Sequence, residues 1–159
     1  MSKSIRVSCI GLGHRGFAYL SEMVKLGDKF EIISVCDKNH ERASQAKAEY
    51  SLSDDNVFFN EDDFFKEKRG DLCVVATQDQ DHVGHAIKAL ELGYNVLCEK
   101  PISNKESEVL RLLEAQRKYH KHVFVCHVLR YAPAFKKVKG LSCKFWNRVI
   151  SAAISKYIS

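Results

Sequence analysis

The stretch IRVSCIGLGHRG, residues 5–16, decides the fold. Its first six residues are a short apolar run that reads as a β-strand, and Gly11-x-Gly13-x-x-Gly16 follows at once. An amphipathic helical pattern comes next, with Phe17, Leu20 and Val24 on one face and Gly27 as its C-terminal cap. In a strand–turn–helix of this kind each glycine has its own task. Gly11 permits the tight turn, Gly13 lets the backbone approach a pyrophosphate, and Gly16 lets the helix pack closely on the sheet. Backbone N–H groups at the helix start, aided by its dipole, hold the anion. Gly11, Leu12, Gly13, His14, Arg15 and Gly16 are therefore candidate cofactor-binding residues, His14 through its N–H rather than its ring.

An acid stands where such a turn needs one. Asp37 ends the run FEIISVCD, about twenty residues beyond Gly16. A carboxylate there accepts hydrogen bonds from the adenosine ribose hydroxyls and repels a 2′-phosphate, so it favours NAD over NADP. Lys38 and Arg42 lie close enough in sequence to soften that preference, and NADP stays open. A glycine turn and a strand-end aspartate that bind nothing are the bland alternative; the joint strand–turn–helix–strand–acid order argues against it.

Working outward, short apolar runs at 5–10, 30–36, 57–59, 72–76, 95–98 and 122–127 alternate with helical patterns. Val83, Ile87 and Leu90 share a face before Gly93. Ser103 and Glu106 have capping-box spacing ahead of Val109, Leu112 and Leu113, and residues 61–68 suggest a shorter helix. This alternation predicts an α/β fold: a Rossmann-type doubly wound parallel sheet, three layers α/β/α, with strand order 3-2-1-4-5-6. One domain is expected over residues 1–139. Residues 140–159 form a tail in which Trp146, Val149, Ile150, Ala153 and Ile154 have helical spacing, although a strand is also compatible with its β-branched content.

Composition narrows the function. With 159 residues, 45% of them apolar and 28% charged, the chain suits one soluble core. No apolar run approaches the roughly 18 residues of a membrane span. The first residues lack the apolar segment of a signal peptide, so a cytoplasmic location and no membrane partner are expected. The net charge of +5 is spread along the chain, with KK or KR pairs only at 68–69 and 136–137. A nucleic-acid surface concentrates such charge, so no nucleic-acid partner is expected. The six cysteines never form C-x-x-C, and five fall inside apolar runs, as reduced core thiols do. His82 and His85 have i, i+3 spacing, but without two further ligands in view no metal is expected.

A second stretch, VVATQDQDHVGHAIKALELGYNVLCEKP (74–101), joined to HVLRYAP (127–133), resembles the Gfo/Idh/MocA oxidoreductases. Ala86, Ala89, Leu90, Gly93 and Glu99-Lys100-Pro101 fit that family's pattern, whereas Gln78 and Asp79 depart from its commonest loop residues. The resemblance runs from about residue 5 to 139. It implies that Thr77, Gln78 and His82 line the cofactor groove, that Glu99 and Lys100 sit beneath the nicotinamide, and that Arg130 reaches the site. It further implies Lys100 as the catalytic residue: a desolvated lysine beside a positive nicotinamide helps a substrate hydroxyl lose its proton. The implied reaction moves hydride between the nicotinamide and a carbinol carbon of a sugar, polyol or derivative. Family members continue into a substrate domain for which this chain has no room, so little turnover by the chain alone is expected, and a monomer or weak homo-oligomer. A non-catalytic nucleotide-binding module, a sensor or partner subunit, is the alternative.

Overall fold

The computed structural model of the chain describes residues 4–127 together with 133, 136 and 137. The chain divides into two compact units, Met1–Cys126 and His127–Ser159, and the first holds the whole sheet. The tail at 140–159 and Arg130 lie outside the described residues.

Strand and helix alternate as β1 (Ile5–Ile10), α1 (His14–Lys25), β2 (Phe30–Cys36), α2 (His40–Glu49), β3 (Val57–Phe58), α3 (Glu61–Phe64), β4 (Leu72–Val75), α4 (His82–Glu91), β5 (Asn95–Cys98), α5 (Glu106–Tyr119) and β6 (Val123–Val125). The strands form one sheet in the order β3-β2-β1-β4-β5-β6, and every neighbouring pair is parallel. This is the doubly wound Rossmann architecture. A parallel sheet must be covered on both faces, and two apolar clusters do so. Val7, Cys9, Leu20, Val35, Ala43 and Ala46 build one beneath α1 and α2. Phe64, Cys73, Val75, Ala86, Leu90 and Leu112 build the other beneath α3, α4 and α5.

Three local expectations are corrected. The buried stripe of α1 runs through Gly16, Leu20 and Met23, leaving Val24 half exposed, because the helix lies on the sheet along its glycine. In α5 the inward residues are Leu112 and Ala115, while Leu113 is exposed. The capping box does not form: α5 starts at Glu106 behind Lys105, and the Ser103 hydroxyl accepts a hydrogen bond from the Lys105 N–H in the preceding turn. Gly27 and Gly93 do follow their helices in the left-handed region expected of caps.

Candidate functional site: a nucleotide cleft at the switch point

The sheet order reverses at β1, so β1 and β4 part at their carboxyl ends and leave a crevice between their following loops. Gly11 turns the chain there with φ +90°, and a Cβ on it would lie 2.5 Å from the Ala76 carbonyl oxygen. A Cβ on Gly16 would lie 2.0 Å from the Gly11 carbonyl oxygen, so the first turn of α1 can rest on β1 only without one. Gly13 differs: a Cβ there meets nothing within 4 Å, because the residue faces open space. No side chain caps α1 and its first turn holds no acidic residue. Its N–H groups and positive dipole end are thus available to an anion. A cleft of about 250 Å³ opens here, lined among others by Gly11, Gly13, Asp37, Lys38, Arg42 and Thr77. A bare glycine backbone beside an uncapped helix start, with a carboxylate in the same cleft, is the donor and acceptor set that a dinucleotide's pyrophosphate and ribose require.

That carboxylate is held in place. Asp37 Oδ2 accepts a 2.6 Å hydrogen bond from the Leu12 N–H, and Oδ1 accepts one of 2.8 Å from the Asn39 N–H. A carboxylate accepts about four hydrogen bonds, so both oxygens keep capacity for ribose hydroxyls. The Leu12 N–H is spent on Asp37, and the Leu12 side chain is fully buried in the core, so Leu12 supports the site from behind. His14 and Arg15 are exposed at the start of α1, and Lys38 and Arg42 line the cleft on the Asp37 side.

The far wall is built from three elements. Thr77 follows β4 and its hydroxyl lies 3.0 Å from His85 Nδ1, while His85 Nε2 bonds to the Glu61 carboxylate at the start of α3. Lys88 Nζ is 3.4 Å from the other Glu61 oxygen. Burial opposes charge on Glu61, but the His85 hydrogen bond and the two neighbouring cationic partners outweigh it and hold its pKa below the ordinary value. Glu61 and His85 line the cleft beside Thr77 and the exposed Gln78. The sequence notes His85 only for a metal-ligand spacing that it sets aside, and does not single out Glu61, because their meeting is a tertiary contact between α3 and α4 that no spacing announces.

His82 departs from the expectation that it lines the groove. Its ring is buried, with Nδ1 2.7 Å from the Pro101 carbonyl and Nε2 3.1 Å from the Thr77 carbonyl. It ties the loop after β4 to the loop after β5. Glu99, too, is buried, and its carboxylate is occupied: it accepts from the Tyr19 hydroxyl and, at 2.8 Å, from the Lys100 N–H, with Arg15 Nε 3.5 Å away. Burial, with hydrogen bonding to Cys126 and Glu99, pushes the Tyr19 phenol up, so Tyr19 is the donor. The Lys100–Pro101 peptide is cis. The Lys100 side chain is exposed, so the described residues do not supply the desolvation its expected role calls for.

Fold and cleft together define a dinucleotide-binding Rossmann domain. Residues 5–127 match the sequence model of the Gfo/Idh/MocA oxidoreductases, described as an oxidoreductase family with an NAD-binding Rossmann fold. The chain belongs to that family and carries its NAD-binding domain. The inositol 2-dehydrogenase of Corynebacterium glutamicum (strain R) is 28% identical over 142 residues, covering 89% of this chain and 42% of that protein. The WlbA dehydrogenase from Bordetella pertussis, solved in complex with NADH and UDP-GlcNAcA, superposes with a TM-score of 0.81 at 24% identity, over 89% of this chain and 43% of that one. The scyllo-inositol dehydrogenase from Lactobacillus casei, solved with NAD(H) and scyllo-inositol, gives 0.79 at 18% identity, over 89% and 42%. At these identities the structural likeness is one of fold. The chain spans about two-fifths of the length of the curated relatives it matches. No helix among the described residues is long and apolar enough to cross a membrane.

Proposed function

We propose that this chain supplies the cofactor half of a dehydrogenase acting on a carbinol carbon of a sugar, a polyol such as an inositol, or a derivative. The observation that carries the reading is Asp37, locked by Leu12 and Asn39 in the cleft that Gly13 also lines. Gly13 and the first N–H groups of α1 hold the pyrophosphate, Asp37 accepts the adenosine ribose hydroxyls, and Lys38 stands beside them. NAD bound in this way supplies a hydride acceptor. Glu99, fixed by Tyr19 and Arg15, accepts the Lys100 N–H and so sets the turn from which Lys100 reaches the substrate hydroxyl. The relatives' substrates, inositols and a UDP-sugar, support the choice of substrate class.

Calorimetric titration of the chain with NAD and with NADP, repeated on Asp37→Ala, tests the reading. Saturable NAD binding that weakens at least tenfold in the variant is expected, since hydrogen bonds to a charged acceptor are worth about 1.5–3 kcal/mol. A folded chain that binds neither nucleotide overturns it.

The exposure of Lys100 favours a second reading, a nucleotide-binding module without chemistry. It predicts NAD binding with no polyol oxidation when a substrate domain of a relative is joined to the chain.

A further inference from the structure

The cleft does not end at Asp37. It continues to Thr77, His85 and Glu61, and among these the Glu61 carboxylate is the pure acceptor. Glu61 is an ionised carboxylate with no proton to give, so His85 Nε2 is the donor in their pair. His85 Nδ1 pairs with the Thr77 hydroxyl, so both ring nitrogens are engaged and the ring is fixed against Glu61. The remaining capacity of the Glu61 carboxylate offers only lone pairs to the cleft. The cationic donors lining the cleft, Lys38 and Arg42, follow Asp37 in sequence, while the Gln78 amide beside Thr77 can both donate and accept.

The position of Glu61 matches the nucleotide's own connectivity. With the diphosphate at Gly13 and the adenosine ribose at Asp37, the base leaves the ribose on the side away from the diphosphate. The Asp37 N–H donates to the Phe58 carbonyl and the Cys36 thiol to the Asn60 carbonyl, so Glu61, next in sequence after Asn60, lines the cleft on the β3 side of Asp37. Adenine has a single N–H donor group in a dinucleotide, its exocyclic N6 amine; its ring nitrogens only accept. A carboxylate can therefore pair with adenine in one way.

We propose that Glu61, oriented by His85, determines base specificity: its carboxylate accepts a hydrogen bond from the N6 amine of the cofactor's adenine. This rests on the reading of the cleft as the NAD site and adds to it a reading of the base. His85 acts through Glu61 and Thr77 and is a positioning residue. The pairing is charge-assisted and sits where water is partly excluded, which is where such a bond discriminates between ligands.

Nicotinamide hypoxanthine dinucleotide is the probe, because it keeps every part of NAD except the amine, which becomes a carbonyl. Titration calorimetry of the intact chain should give about tenfold or more weaker binding for the hypoxanthine form than for NAD. Glu61→Ala should bring the two affinities within about threefold of each other while NAD still binds. Should that variant lose its folded circular-dichroism spectrum, Glu61→Gln takes its place. Its amide can turn to donate to the hypoxanthine carbonyl, so the ratio must shrink or invert.

Equal affinities in the unaltered chain overturn the proposal, as does a preference for hypoxanthine, whose N1–H would then be donating to Glu61. A ratio that persists in the Glu61 variants also overturns it. If NAD binding is lost in Asp37→Ala while the unaltered chain does not distinguish the bases, the cleft reading stands and only the base reading falls. If the unaltered chain binds no NAD, both fall.

Discussion

A Cβ on Gly16 would come within 2.0 Å of the Gly11 carbonyl oxygen. The same atom on Gly13, three residues earlier, would enter empty space. The two positions therefore separate folding from binding. Gly16→Ala forces α1 off β1, and the overpacking should cost about 2–3 kcal/mol of stability. Gly13→Ala keeps a backbone of φ −72° that alanine adopts freely, so its stability should change by less than about 1 kcal/mol. Its methyl nevertheless occupies the pyrophosphate's place, and NAD affinity should fall at least tenfold. Urea unfolding and calorimetric titration of both variants check the contrast.

The His82 ring is a staple between two loops, and its removal should be felt in stability before it is felt in binding. His82→Leu keeps an apolar body of similar reach but leaves the Pro101 and Thr77 carbonyls without their ring partner. A buried acceptor stripped of its donor costs about 1–3 kcal/mol. A drop of about 2 kcal/mol in urea-unfolding stability is expected. NAD affinity should fall by a smaller factor than in Asp37→Ala, because His82 is not among the residues that line the cleft.

The buried thiols should be chemically silent in the folded chain. Burial pushes Cys36 and Cys98 up to about 12, with smaller contributions from Asp37 beside the first and Cys126 beside the second. Cys9 and Cys73, wholly enclosed, are raised further. Alkylation needs the thiolate. Iodoacetamide at pH 8 should therefore leave all four unlabelled in the folded chain and label them in guanidinium, as read by peptide mass mapping. Cys36 is the stringent case, since it lines the nucleotide cleft and is nonetheless expected to resist.

What the sequence announced, and what it withheld, divides along local and tertiary lines. The bounds of β1, β2 and β5 were legible because each is a short apolar run closed by a turn residue or a charge, and the strand order followed from the alternation itself. The glycine turn and Asp37 were legible because their spacing is fixed by one strand–turn–helix–strand unit. By contrast α2 turns only Ala43 and Ala46 fully inward, and side chains that small leave little apolar rhythm to read. The depth of His82 and the occupation of Glu99 by Tyr19 and Arg15 depend on which loops meet across the sheet ends. The Glu61–His85 pair joins residues from separate crossovers, and neither carries a motif.

That pair also sets a sign for acid sensitivity. Burial alone would raise the Glu61 pKa, but the His85 hydrogen bond, the His85 charge and Lys88 together lower it beneath its usual 4.5. The folded chain thus holds this proton less tightly than the unfolded chain does, and unfolding in acid takes a proton up. Stability from this group is fully present above about pH 4.5 and is lost as the pH falls through the lowered folded value. Glu61→Gln removes the charge and with it this dependence. The stability gap between the unaltered chain and Glu61→Gln, measured by urea unfolding, should be open at pH 6 and should close progressively below pH 4.5. Asp63, lowered mainly by its hydrogen bonds with Lys66 and Asn60, contributes a slope of the same sign in both proteins and cancels in the comparison. A gap that stays constant down to pH 3 would mean that Glu61 is not ion-paired in the folded chain, and the cleft would lose the partner that holds its carboxylate charged.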